Sequence, residues 1–500
     1  MRVVLAGYNI DSEVISELKR QVPPREDVTP ETLSAAYARI SRDPRPADVL
    51  RAVARGEVER ARRSNQRIIF KMGHHSVAEH AVFNFDIIAV SRLAIEEIEK
   101  FRLSSYTEKS QRYIKLGDDF VLPEEIRKAG KEDLFLETVR AQNVLYHRLY
   151  EKLKTYFFST NSELAANPKN HPLLDGRAKE DARYIVSLAT LGQLGMTINA
   201  RNLEFLIRRL ASRKLAELQE LVRRIYSLAR EVAPSILIFT NACDFDADTY
   251  TDLAEKLTRD ISFFGANESP QTGLEPVQLV DFTPDADEKT LAALLHTASS
   301  SSFEGCLAKV RGLSPLEKKE LMKVAFARME FYDFPLREFE YADLTFNLVV
   351  SASCFAQLKR HRMATLTSQP YNPGLGVAVP VSVEEIGAAK EFMSLVDRTS
   401  AAHEALRKAV GPAADYILTN AHRRRVLLKV NARELYHISR LREDASAQWD
   451  IREIASQMHA FAGKVMPLTC LLLGSKDGYP EVYRSIFGRF PEALPPNARK

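Results

Sequence analysis

Asn431-Ala432-Arg433-Glu434-Leu435, near the end of the chain, repeats a string already present as Asn199-Ala200-Arg201-Asn202-Leu203. That match is weak alone, but two further landmarks recur in the same order. The apolar, strand-like stretch 81–91, with Phe83-x-Phe85, returns as 342–351 with Leu344-x-Phe346. A basic knot follows each stretch, Lys100-Phe101-Arg102 in one and Arg360-His361-Arg362 in the other. Arg102 to Asn199 is 97 residues and Arg362 to Asn431 is 69, so the copies differ by 28 residues between these landmarks. Three landmarks in one order make the chain an internal duplication.

The first copy spans 1–250 and the second 275–500, with 251–274 as the linker. The linker contains Asn267-Glu-Ser-Pro-Gln-Thr-Gly273, rich in turn formers. A second start, Pro276-Val-Gln-Leu-Val-Asp-Phe282, mirrors Arg2-Val-Val-Leu-Ala-Gly7. Strands are expected near 2–6, 81–90, 277–282 and 343–351. Apolar periodicity predicts helices from Pro123 and over 134–156, 180–194, 202–232, 315–331, 383–410 and 433–465. Each half therefore reads as α+β, a small mixed sheet with several helices.

The 500 residues are 45% apolar and 27% charged, as in ordinary globular chains. No apolar run is long enough to span a bilayer, and the N-terminal apolar stretch is too short for a signal peptide. A formal charge of +4 is too small for a polybasic binder. Four scattered cysteines form no Cys-x-x-Cys pair and fit a reducing cytoplasm. There is no Gly-x-Gly-x-x-Gly and no Walker A string, which disfavours a Rossmann or P-loop enzyme.

Three clusters carry chemistry. Gln357-Leu-Lys-Arg360-His361-Arg362 reads either as a solvated basic helix end or as an anion site, since guanidinium forks match phosphate. Glu108-Lys-Ser110-Gln111-Arg112 reads as a polar loop, or as a phosphate grip through a hydroxyl and a fork. His74-His75-Ser76-x-x-Glu79-His80 lacks a standard zinc spacing, so no metal is expected.

Taken together, Gly73-His-His-Ser76-Val-Ala-Glu79-His80, Val90-Ser-Arg92, and Arg102-x-x-Ser-Tyr-x-Glu108-x-Ser110-x-Arg112-Tyr113 resemble the flavin-dependent thymidylate synthases. That family's signature is Arg-His-Arg-x-x-Ser followed by Ser-x-Arg. The second copy resembles it through Gln357, Arg360-His361-Arg362, Asn431-Ala-Arg433, His437, Arg442 and Ala447-Gln-Trp449. Both halves carry the resemblance, so the chain looks like a tandem fusion of two family modules.

Neither copy is complete. The first has Glu97, Lys100-Phe101 and Leu210 where the second has Gln357, Arg360-His361 and Arg442. The second has Ser368, Pro370, Asn372 and Asp415 where the first has Glu108, Ser110, Arg112 and Arg183. The losses are complementary, which implies one composite site per chain and a second, degenerate pairing. Losing Ser and two Arg would remove about 5–9 kcal/mol at roughly 1.5–3 per charged hydrogen bond. That is most of the ~8 kcal/mol behind micromolar affinity.

The resemblance implies FAD-dependent reductive methylation of dUMP to dTMP, with methylene-tetrahydrofolate as carbon donor and NADPH as reductant. It implies that Ser76, Arg360, His361, Arg362, Asn431, Arg433 and His437 contact FAD. Gln357, Arg360, Glu108, Ser110, Gln111, Arg112 and Arg183 would hold the nucleotide, and Arg442 would act on the uracil as the catalytic group. A homodimer of two-module chains would mimic the family's four-module tetramer, without nucleic acid or membrane partners. The alternatives are a divergent flavin enzyme acting on another pyrimidine nucleotide, an inert scaffold, or an RNA-binding protein using Arg60-Ala-Arg-Arg63, His422-Arg-Arg-Arg425 and Lys359-Arg-His-Arg362. The small net charge and absent aromatic interleaving weigh against RNA.

Overall fold

The computed structural model describes residues 12–20, 29–40, 43–71, 74–259 and 275–495. The strand expected near 2–6 and the turn-rich 267–273 lie outside them. The start of the expected linker is helical, since Asp244–Arg259 forms one helix.

Among the described residues each copy builds one sheet. In the first, β1 (Val82–Ser91), β2 (Ser105–Glu108) and β3 (Leu191–Asn199) lie in the order β1-β3-β2. In the second, β4 (Val277–Phe282), β5 (Asp343–Ser351), β6 (Thr365–Ser368) and β7 (Arg423–Asn431) lie in the order β4-β5-β7-β6. With their surrounding helices these are the expected α+β modules. Among the described strands, every pairing is antiparallel rather than mixed. The reason is topological: β3 returns between β1 and β2, and β7 between β5 and β6.

The repeated strings mark helix starts. Ser91 and Ser351 end their strands and cap the helices Arg92–Glu99 and Ala352–Leu358, accepting from Ala94 N and Cys354 N. Asn199 and Asn431 cap Ala200–Ala211 and Ala432–Arg442 in the same way. One extra residue in β1 is taken up at a bulge between Ile88 and Val90, where Ala89 has φ 58°. Residues before the bulge correspond at an offset of 261 and those after it at 260, while those around Asn-Ala-Arg correspond at 232.

Several long helices expected from periodicity are broken. The 202–232 prediction is two helices, Ala200–Ala211 and Ala216–Val232. The 383–410 prediction splits at Gly387, whose φ of 69° ends a helix, and 433–465 splits between Arg442 and Trp449. The expected helix 180–194 is a larger correction. Helix His171–Ala182 gives way to the turn Arg183–Ile185 and then to β3. The run 184–189, apolar but for Ser187, is buried between the modules.

That run pairs the two modules about a pseudo-twofold axis. Ser187 bridges Thr419, its own counterpart twelve residues before the Asn-Ala-Arg string. Around it, Leu188 N donates to Leu418 O at 2.8 Å and Asn420 N to Val186 O at 2.9 Å. Arg362 donates to the carbonyls of Arg102 (3.2 Å) and Ser104, and Arg102 returns a bond to Ala364 O at 3.2 Å. Mixed apolar cores, with Tyr184 and Ile185 beside Phe392 and Leu395, join the halves. Most of the 28-residue difference is the helix His171–Ala182 and its connection, which fold back along Glu132–Thr160. In the second module Ala389–Val410 runs directly into the turn Gly411–Ile417.

Candidate functional site

A cavity of about 210 Å³ opens between the modules. The first module supplies Glu108 from the end of β2, Ser110, Gln111 and Arg112 from the loop after it, and Arg183 from the turn before β3. The second supplies Gln357 and Arg360 from the end of helix Ala352–Leu358, and Arg442 from the last turn of Ala432–Arg442. All eight residues expected to hold the nucleotide therefore line one cavity, five from one half of the chain and three from the other.

The lining is strongly cationic. Arg92, Lys109, Arg112, Arg183, Arg360 and Arg442 face a single carboxylate, Glu108. That carboxylate is shared, with Oε1 3.1 Å from Arg92 Nη1 and Oε2 2.7 Å from Arg360 Nη2. Burial works to raise the Glu108 carboxyl, but Arg92, Lys359 and Arg360 outweigh it and hold it below its ordinary range. Arg360 Nη2 is also 2.8 Å from Glu99, which lies 2.7 Å from Lys359 Nζ.

Arg183 differs from the rest. It is 7% exposed, and its Nε and Nη2 are buried without a hydrogen-bond partner. Burial depresses its pKa, and Glu180 acts in the other direction. An unsatisfied buried guanidinium is costly, and an anion in the cavity would supply the missing acceptors. Gln357 Oε1 is also buried and unpartnered at this cavity. Arg112 is tied to Glu180 and donates to Ser446 O at 3.0 Å, while its backbone N–H donates to Ser110 Oγ at 3.1 Å. Arg442 is held by His361 and by Gln357 O, and burial lowers it to about 10.

The expected flavin contacts are less gathered. Only Arg360 lines the cavity. His361 is buried behind Arg442, and Arg362 serves the inter-module contact described above. Asn431 spends its side-chain oxygen on the helix cap, 2.9 Å from Glu434 N. Arg433 donates to Pro335 O (2.8 Å) and pairs with Glu340 (3.1 Å), a pairing repeated by Arg201 with Glu79 in the first module. His437 lies between the Phe334 and His361 rings, each 5.4 Å away, tilted against the first and edge-on to the second. Ser76 sits in the turn His75–His80 against helix Ala200–Ala211, on the first module's own side and away from the cavity lining.

Sequence reasoning assigned no role to Arg92, Lys109, Ser353, Ala356 or Asn420, which also line the cavity. Asn420 bridges the modules by donating to Gln111 Oε1 (3.1 Å) and Arg183 O (3.0 Å). No motif marks it. Arg92 was the accessible one, since it follows the capping Ser91 directly.

The pseudo-equivalent position is filled by protein. Glu96, Tyr371 and Arg424 stand there in place of Ala356, Gln111 and Gly192. Glu96 accepts from Tyr371 Oη at 2.7 Å and from Arg424 Nη1. The Arg424 guanidinium lies over the Tyr371 and Phe355 rings, 4.3 and 4.7 Å from their centroids, and donates to Gln369 O at 2.8 and 2.6 Å. All three side chains are buried, between 1% and 5% exposed. Asp415, opposite Arg183 in the duplication, pairs with His403 (2.9 Å) and Arg407 (3.2 Å).

Among the described residues no group of three His, Cys, Asp or Glu side chains could hold a metal ion, and no helix is long and apolar enough to cross a membrane.

The family model described as thymidylate synthase complementing protein matches twice, over residues 26–235 and 278–468. A UPF0159 protein of Thermoplasma acidophilum is 23% identical over 87% of this chain and 92% of its own. The flavin-dependent thymidylate synthase of Nitratidesulfovibrio vulgaris is 28% identical over 43% of this chain and 84% of its own. That of Pyrococcus furiosus is 34% identical over 30% and 56%. With both halves matched, the chain belongs to the thymidylate synthase complementing protein family, that of the flavin-dependent thymidylate synthases, as two modules in tandem.

Proposed function

We propose that the chain converts dUMP to dTMP by FAD-dependent reductive methylation, with methylene-tetrahydrofolate as carbon donor and NADPH as reductant, at one composite site per chain. The observation that carries this reading is Arg183. Its buried, unpartnered guanidinium faces a cationic cavity made by both modules. A nucleotide monophosphate supplies the missing acceptors, with Arg112 and the Ser110 hydroxyl completing the grip. Gln357 and Arg442, at the second module's side, meet the base. A fixed cation there favours the N3-deprotonated uracil.

The residues fit a flavin beside this cavity. Arg442, His361, His437, Phe334 and Arg433 form one continuous run of contacts. Its outer end offers rings for a planar group and a guanidinium for a diphosphate. When bound, the flavin supplies the hydride chemistry, and the protein positions and polarises. Arg433, His437 and Arg360 would hold it. Ser76 lies apart from this set within one chain, so a second chain supplies it in the homodimer we propose.

The test is product analysis with dUMP, NADPH and methylene-tetrahydrofolate on flavin-loaded protein. Arg112→Ala and Arg442→Ala should abolish dTMP formation, while Lys100→Ala and Asn372→Ala should not. Equal loss from Lys100→Ala contradicts the split site. Bound flavin with no dTMP from dUMP points to another pyrimidine nucleotide, and a trimer by mass photometry contradicts the dimer.

A further inference from the structure

Arg442 is the cavity guanidinium held by an imidazole. Its Nε donates to His361 Nε2 at 2.9 Å, and its Nη2 to Gln357 O at 3.2 Å. His361 is 3% exposed. Its remaining neighbours are the His437 ring, edge-on at 5.4 Å, and Glu434, whose Oε1 is 3.5 Å from Nδ1. Burial, and then Arg442, push the imidazole down to about 3. The ring is therefore neutral near pH 7, its Nε2 lone pair accepts from Arg442, and the proton sits on Nδ1 towards Glu434.

The other module repeats the shape without the polarity. Phe101 and Phe205 occupy the positions of His361 and His437. Their rings meet at 5.7 Å and 73°, against 5.4 Å and 70° for the two histidines. Leu210, 1% exposed, occupies the position of Arg442. The fold is satisfied there by three apolar side chains, so packing does not require a histidine at 361. The polar set occurs only where the cavity is open.

We infer that His361 is a positioning residue, fixing the plane of the Arg442 guanidinium against the nucleotide base. Two of the three guanidinium nitrogens are anchored by the protein, leaving Nη1 for a ligand. The inference rests on the reading that a uracil nucleotide occupies the cavity. Arg112 and Arg360 also face that ligand and are unchanged by substitution at 361.

The experiment uses the flavin-loaded chain and 5-fluoro-dUMP, following ionisation of the bound base at N3 by its absorbance. His361→Phe should raise the apparent N3 pKa by about one pH unit or more, the low end of what a cation within about 4–6 Å does. Affinity for inorganic phosphate should not change. His361→Gln offers a carbonyl oxygen to Arg442 Nε and should restore most of the shift. Phe101 shows that the fold accepts phenylalanine at this position, and matching urea midpoints verify it. An N3 titration identical in wild type and His361→Phe overturns the positioning role, as does loss of bound flavin with N3 unchanged. Failure of the wild type to bind 5-fluoro-dUMP overturns the nucleotide reading and this inference with it.

Discussion

Replacing Glu96 by alanine should destabilise the chain strongly without touching the open cavity. The substitution leaves Arg424, 5% exposed, without its carboxylate and Tyr371 Oη without its acceptor. Removing one partner of a buried ion pair costs about 3–5 kcal/mol. The pKa gives a second route to the number. Burial alone would raise the Glu96 carboxyl, but Arg424, Lys100 and Lys359 bring it from 4.5 to about 2. At about 1.4 kcal/mol per pH unit that is roughly 3 kcal/mol. Because the folded-state pKa is depressed, this contribution is present above pH ~4.5 and is lost as the pH falls towards ~2. The assay is the urea midpoint of wild type, Glu96→Ala, Arg424→Ala and the double variant at pH 7, with wild type repeated at pH 3. The double variant should cost less than the sum of the singles by about 1–3 kcal/mol. A cost below about 1 kcal/mol for Glu96→Ala, or additive single effects, would refute the buried pair as the element that fills the second position.

The other predictions concern the open site and the repeated caps. Arg183→Leu removes a buried, unsatisfied cation, so it should raise stability by about 1–2 kcal/mol while weakening nucleotide binding at least tenfold. Calorimetric binding together with thermal unfolding checks both signs, and a destabilised variant would show that Arg183 has a protein partner. Asn431→Ala and Asn199→Ala each remove a helix cap and should cost about 1 kcal/mol alike. If only Asn431→Ala releases flavin, and without a stability cost, its capping role is wrong.

The duplication was legible because its landmarks are turning points of the chain: Ser and Asn caps, strand ends and the basic knot. The cavity residues were legible because both half-motifs are short and local, Glu108–Arg112 in one and Gln357–Arg362 in the other. The filled position was not, since Glu96, Tyr371 and Arg424 are far apart in sequence and only the pseudo-twofold packing brings them together. Residues 180–194 read as helix from their apolar spacing, but past Ala182 the chain turns and enters β3, with 184–189 buried between the modules. The family resemblance implies a flavin contact for Asn431, and the structure adds a helix cap made by its side-chain oxygen, a role that no string distinguishes from binding.

The central claim is that two halves of one chain build a single nucleotide site. Calorimetric titration of the flavin-loaded chain with dUMP tests it most directly, repeated with Arg183→Leu and Arg442→Leu, one from each module. One nucleotide per chain, weakened at least tenfold by either substitution, is the predicted result. Two nucleotides per chain, or affinity lost through only one module's residue, would contradict it.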